Sequence, residues 1–202
     1  QARQKGQYSH IRDVLVENLA IIDRAEQMDG GLTGITTGFS KLDEMTSGMQ
    51  KSDLIILAAR PAMGKTAFAL SLARNAAVKG KASVMIFSLE MAKEQLTQRL
   101  LSMESKVDLQ TLKTGRLERR DWDDLNVALD ILSNSNIHID DTAGISIMEM
   151  KSKCRRLKAE AGLDLVIIDY LQLMNPEGKA DSRTQEISVI SRNLKLLARE
   201  LD

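Results

Sequence analysis

Ala59, Arg60, Pro61, Ala62, Met63, Gly64, Lys65 and Thr66 stand in the order and spacing of a loop that wraps phosphates. Such a loop turns its backbone N–H groups toward the anion, and the helix that it opens adds positive potential at its N-terminus. Gly64 keeps side-chain bulk away, Lys65 reaches toward the outer phosphates, and the Thr66 hydroxyl is a ligand for Mg²⁺. The pattern is one residue short, because Ala59 stands where a first glycine is usual. Two acids belong to the same chemistry. Asp169 closes the run Leu165-Val-Ile-Ile-Asp169 and is expected to hold Mg²⁺ through a water. Glu90 closes Ser88-Leu-Glu90, where a carboxylate can polarise an attacking water; it can equally cap the helix that starts near Met91.

These residues need a frame. Leu54-Ile-Ile-Leu-Ala58 is a continuous apolar run, as in a strand covered on both faces, and Val84–Phe87, Ile137–Ile139 and Leu165–Ile168 repeat the theme. Helical periodicity falls near 65–79, 92–104, 117–132 and 145–160. Strands alternating with helices predict an α/β fold with a mostly parallel sheet flanked by helices, whose ligands gather at the C-terminal strand ends. His138 reads as a strand residue and Cys154 as a structural or surface residue. A separate amphipathic helix is expected over residues 9–27, from Ile11, Val14, Leu15, Leu19 and Ile22. The hinge Asp29-Gly-Gly-Leu-Thr-Gly34 then divides a linker, 1–32, from an ATPase domain, 33–202. That helix packs either on its own domain or on a neighbouring subunit. A last helix carries Ile187, Ile190, Leu194, Leu197 and Leu201 to the end of the chain. In a parallel sheet it should lead to a further strand, so later strands are expected to be missing from this sequence.

Composition narrows the classes. The 202 residues are 43% hydrophobic and 28% charged, which suits one core-forming unit, and with 3% aromatics that core must be aliphatic, the ten methionines filling gaps. The six-residue run Leu54 to Ala59 is the longest purely apolar stretch, well below the roughly 20 residues of a membrane span. The N-terminus is polar, without the pattern of a signal peptide. One cysteine excludes an internal disulfide and a cysteine-based zinc site. Twenty-eight basic residues balance 28 acidic ones, which argues against coating duplex DNA by charge alone. The basic residues Lys151, Lys153, Arg155, Arg156 and Lys158, and Arg192, Lys195 and Arg199, read as solvated helix faces.

With these parts placed, the chain resembles the RecA-like motor domain of DnaB-type replicative DNA helicases. The resemblance rests on Thr36-Thr-Gly-Phe39 with Leu42-Asp43 and Gly48, on Leu57 to Thr66, and on Phe87-Ser-Leu-Glu-Met91. It extends through Ile168-Asp-Tyr-Leu-Gln-Leu173 and Ser182-Arg183 with Glu186-Ile187 and Ile190-Ser-Arg192. It implies a RecA-like phosphate-loop NTPase, a cytoplasmic enzyme that uses ATP and Mg²⁺ to move along single-stranded DNA and unwind the fork. It implies a hexamer in which the 9–27 helix docks on the adjacent subunit, and partners that include primase and a helicase loader. The loop Asn175 to Arg183 then faces a central channel, with Lys179 and Arg183 as DNA phosphate contacts; a solvated connecting loop is the other reading. By the same resemblance the γ-phosphate sensor, the finger residues and the last DNA loop lie outside this sequence. A RecA-like recombination or repair ATPase, or a non-catalytic assembly fragment, are the alternatives.

Overall fold

A computed structural model describes residues 8, 10–26, 32–174 and 183–202. Its helices are α1 (Ile11–Glu26), α2 (Ser40–Thr46), α3 (Lys65–Arg74), α4 (Lys93–Ser105), α5 (Leu109–Thr114), α6 (Arg119–Ser133), α7 (Ile147–Ala161) and α8 (Arg183–Leu201). Three strands, β1 (Val84–Ser88), β2 (Ile137–Asp140) and β3 (Leu165–Asp169), form one parallel sheet in the order β2-β1-β3. The peptide that leaves β3, Asp169–Tyr170, is cis.

Alternation along the strands divides the core into two layers. Met85 and Phe87 of β1, with Val166 and Ile168 of β3, pack against Ile147, Met150 and Cys154 of α7 and Ile190, Leu194 and Leu197 of α8. Val84 and Ile86, with Leu165 and Ile167, face the opposite way, toward Leu70 and Ala73 of α3 and Leu96 and Leu100 of α4. The core is aliphatic, as the composition requires, with Phe87 its largest fully buried side chain. Met85, Met150 and Met174 are buried in it, but Met45, Met63 and Met148 are mostly exposed, so the methionines are not uniformly gap-fillers. Burial pushes the Cys154 thiol up to about 12, with the nearby Asp140 charge adding to it, so this cysteine is a small core hydrophobe.

The expected strand over 54–58 is a correction. No strand forms there; Ile55 and Ile56 are 61% and 67% exposed. A strand exists only where a neighbour supplies the opposing N–H and C=O groups. β3 pairs with β1 along one edge, and no described strand lies on its other edge.

The helices fall close to their expected positions, and three details escaped the periodicity. The helix from Lys65 passes into a π-turn, Asn75–Lys79, closed by Gly80 N donating to Asn75 O at 3.1 Å. The short helices α2 and α5 also went unforeseen. The α5 start is explained by Asp108, whose carboxylate accepts from the backbone of Gln110 and Thr111. On α1, Ile11, Leu15, Leu19 and Ile22 are all exposed, so the apolar stripe is not covered by its own domain. Most of the hinge lies outside the described residues.

Candidate functional site: a phosphate loop facing two strand ends

The loop's geometry follows from two backbone positions. Ala62 and Gly64 both have positive φ, 62° and 85°. Gly64 is the N-cap of α3, and Phe68 N donates to Gly64 O at 2.9 Å, which starts the helix. A Cβ built on Gly64 meets nothing within 4 Å, so within this chain the left-handed backbone, rather than lack of room, calls for glycine. Ala59, Arg60, Pro61, Ala62, Met63 and Gly64 are exposed along the loop, and Met63 N donates to Arg60 O at 3.3 Å. Lys65 and Thr66 open the helix and turn inward, half-buried.

They meet Asp169. The Thr66 hydroxyl donates to Asp169 Oδ2 at 2.6 Å, across 103 residues of sequence, and Lys65 Nζ lies 3.5 Å from Asp169 Oδ1. Asp169 is 9% exposed and sits where β3 ends. Lys65 Nζ also lies 4.4 Å from the centroid of the Tyr170 ring, a residue that neither type nor spacing had singled out. The Thr66 hydroxyl and the Asp169 carboxylate are hard oxygen donors side by side, which fits Mg²⁺. Among the described residues no trio of His, Cys, Asp or Glu side chains converges to hold an ion alone. A cation here would therefore complete its shell with water and the nucleotide's own phosphate oxygens, as Mg²⁺ usually does.

Glu90 follows β1, the strand next to β3, and is exposed. The helix-capping alternative for it does not hold. The N-cap of α4 is Ala92, and the acid that serves the helix start is Asp141, whose carboxylate accepts from Lys93 N at 3.1 Å. Ser88 fixes the intervening turn, its hydroxyl donating to Met91 O at 2.6 Å and accepting from Met91 N at 3.2 Å. Glu90 is left out of both arrangements.

The stretch from Thr36 to Asp43 buttresses the loop helix from behind. Asp43 accepts from the Thr36 and Thr37 hydroxyls, each at 2.6 Å, and from Thr37 N at 2.8 Å. Burial would raise its pKa, but these hydrogen bonds outweigh that and hold the carboxyl below its ordinary value. Phe39 stacks on Phe68 of α3 with centroids 5.2 Å apart. The buried Asn75 donates to Thr37 O at 3.0 Å, and a Cβ on Gly38, at φ 75°, would collide with the Asn75 side chain.

The basic faces are mostly tied down. Lys151 and Arg155 of α7 both pair with Glu200 of α8, Lys153 pairs with Asp140, and Lys195 donates to Ser52 O at 2.8 Å. The Lys151 hydrogen bond is the main cause of a lowered Glu200 pKa. These lysines clamp helix to helix and helix to loop, where solvated faces were expected. Arg156, Arg192 and Arg199 are exposed. Lys179 lies outside the described residues, and of Arg183 only its place in the first turn of α8 is described.

A parallel sheet flanked by helices, with a lysine and a hydroxyl from the loop meeting an acid at a strand end, defines a phosphate-loop nucleoside triphosphatase of RecA-like build. The model of the DnaB-like helicase C-terminal domain family matches residues 34–202, and the chain belongs to that family. It is 50% identical over 203 residues to the replicative DNA helicase DnaB of Geobacillus stearothermophilus, covering 100% of this chain and 45% of that protein. It is 52% identical over 202 residues to the replicative DNA helicase DnaC of Bacillus subtilis (strain 168), covering 100% of this chain and 44% of the other. Among solved structures, an isolated ATPase domain superposes with a TM-score of 0.88 at 42% identity, over 97% of this chain and 69% of that one. A DnaB-like replicative helicase, described with its interactions with primase, gives 0.83 at 41% identity over 99% and 48%. The chain thus spans about half the length of the curated relatives it matches.

Proposed function

We propose that this chain is the core of an ATP-driven motor that, within a longer protein, moves along single-stranded DNA and unwinds the replication fork as a hexamer. The observation that carries this reading is the meeting of Thr66 and Lys65 with Asp169, at 2.6 and 3.5 Å, in a chain of the DnaB-like helicase family. The residues from Ala59 to Thr66 cradle the triphosphate, and Mg²⁺, held by Thr66 and by Asp169 through a water, neutralises charge on it. Lys65 offsets negative charge on the transferred phosphoryl group. Glu90, free of capping duties at the end of the neighbouring strand, orients the attacking water and accepts its proton.

The α1 stripe, exposed on its own domain, is the contact to an adjacent subunit, with residues 1–32 as linker and 33–202 as ATPase domain. Lys179 and Arg183 contact the DNA backbone without reading sequence, since the shortage of aromatics disfavours base stacking. Primase and a loader are the expected partners, the former by analogy with the structural relative described with primase. The expected compartment is the bacterial cytoplasm at the replication fork; among the described residues no helix is long and apolar enough to cross a membrane.

The test is Lys65→Ala in the full-length protein. Nucleotide binding or turnover should be lost while the melting transition stays, because Lys65 is half-buried and contributes nothing to either core layer. Turnover at the parental rate would sink the assignment. Unwinding of a forked duplex with a free 5′ tail separates this reading from a recombination ATPase. One observation favours low turnover by the 202-residue chain alone: the segment leading into the phosphate loop, 54–58, has no strand partner to hold it in register.

A further inference from the structure

We propose that Tyr170 is the positioning residue for the Lys65 ammonium, through the face of its ring. The inference rests on the phosphate-loop reading and adds a residue to it. Lysine carries a flexible four-carbon stem, and placing its charge within reach of phosphates requires walls that hold it. Asp169 is an incomplete wall. Its Oδ2 is engaged by the Thr66 hydroxyl at 2.6 Å, and its Oδ1 is 3.5 Å from Lys65 Nζ. That is well outside the roughly 2.7–2.9 Å of a charge-assisted N–H···O bond, so the carboxylate attracts the ammonium without fixing its direction. The Tyr170 ring supplies the missing side. Its centroid is 4.4 Å from Nζ, inside the roughly 6 Å over which a ring face attracts a cation.

The two contacts differ in kind. Asp169 is also needed beside the cation site, so its hold on Lys65 must be loose enough to share. An aromatic face attracts charge but accepts no directed hydrogen bond and offers no ligand to a hard cation. It holds the ammonium while leaving all three N–H donors available to phosphate oxygens and to Asp169. The position directly after the strand-end acid is therefore a functional one, and its requirement is an aromatic ring rather than a hydroxyl.

Tyr170→Phe and Tyr170→Leu in the 202-residue chain test this with two measurements. The first is the NMR signal of the Lys65 ε-methylene protons, assigned by its loss in Lys65→Arg. It should be shifted upfield by the ring in the parent and in Tyr170→Phe, and return to an ordinary lysine position in Tyr170→Leu. The second is affinity for Mg²⁺–ADP. Tyr170→Leu should weaken it by about 2- to 5-fold, the range of a partly exposed cation–ring contact. Tyr170→Phe should bind like the parent, and both variants should melt together. An unshifted Lys65 signal in the parent, a Leu variant that binds as tightly as the parent, or a Phe variant as weak as Leu would each overturn the proposal. A parent chain that binds no Mg²⁺–ADP would instead overturn the phosphate-loop reading, and the lysine signal alone would then decide the Tyr170 contact.

Discussion

Two five-residue apolar segments, 54–58 and β1, look interchangeable as sequences, Leu-Ile-Ile-Leu-Ala and Val-Met-Ile-Phe-Ser. One leads into the phosphate loop, and the other leads to Glu90. In the folded chain β1 is hydrogen-bonded on both edges and Phe87 is wholly buried, whereas Ile55 and Ile56 of the first segment stand mostly exposed. β1 is fixed by its neighbours on both sides; the lead-in to the loop is fixed chiefly by what lies before and after it. Before it, Lys195 of α8 holds Ser52 and Asp53; after it, α3 is held by Asp169 and by the Thr36–Asp43 stretch. Apolarity alone therefore does not make a segment a strand or bury it.

The difference can be broken most severely at β1. Phe87→Ala should cost about 3–5 kcal/mol in urea unfolding, the range for large buried side chains, while Ile56→Ala should cost under about 1 kcal/mol. Equal losses would mean that 54–58 is as well packed as β1. The catalytic end of β1 comes next. Glu90→Gln in the full-length protein should keep ATP binding and lower steady-state turnover at least about 10²-fold, because the amide keeps size but loses the charge that orients water. Binding and turnover that fall together would point away from a general base.

A smaller effect is expected behind the phosphate loop. Asp43→Asn should destabilise by about 1–2 kcal/mol near pH 7 through the hydrogen bonds to the ionised carboxylate. The folded-state pKa of Asp43 lies below its unfolded value, so its contribution is fully present above the unfolded pKa. It declines as pH falls through the folded pKa. The gap between parent and Asp43→Asn in chemical denaturation should therefore be widest at neutral pH and close in acid; a gap that widens on acidification contradicts the assignment. The smallest effect is at Lys195→Met, which releases Ser52 and Asp53 ahead of the exposed segment. A loss of about 0.5 kcal/mol is expected, and its ion-pair part should be smaller still at high salt.

Sequence reading located what depends on near neighbours. Helical periodicity placed α3, α4, α6, α7 and α8 closely, and turn chemistry placed the phosphate loop, because a helix or a tight turn is closed by residues three to five positions apart. It placed Asp169 at a strand end and Glu90 after another for the same reason. It misjudged 54–58, the lysines of α7 and the part played by Tyr170. In each case the deciding partner is remote: a sheet edge, Glu200 on α8, and the Lys65 ammonium. Local composition carries no record of such partners.

The residue types and their spacing thus determined by themselves that this chain folds as alternating strands and helices around an aliphatic core and carries a phosphate loop. Only the tertiary structure decided which apolar runs became strands, and which lysines clamp helices rather than face solvent. It alone brought Thr66 within 2.6 Å of an acid 103 residues away. Backbone preferences and side-chain periods act over one or two turns of chain. Pairing and convergence are settled by packing the two core layers onto a common sheet, a condition on the whole chain at once.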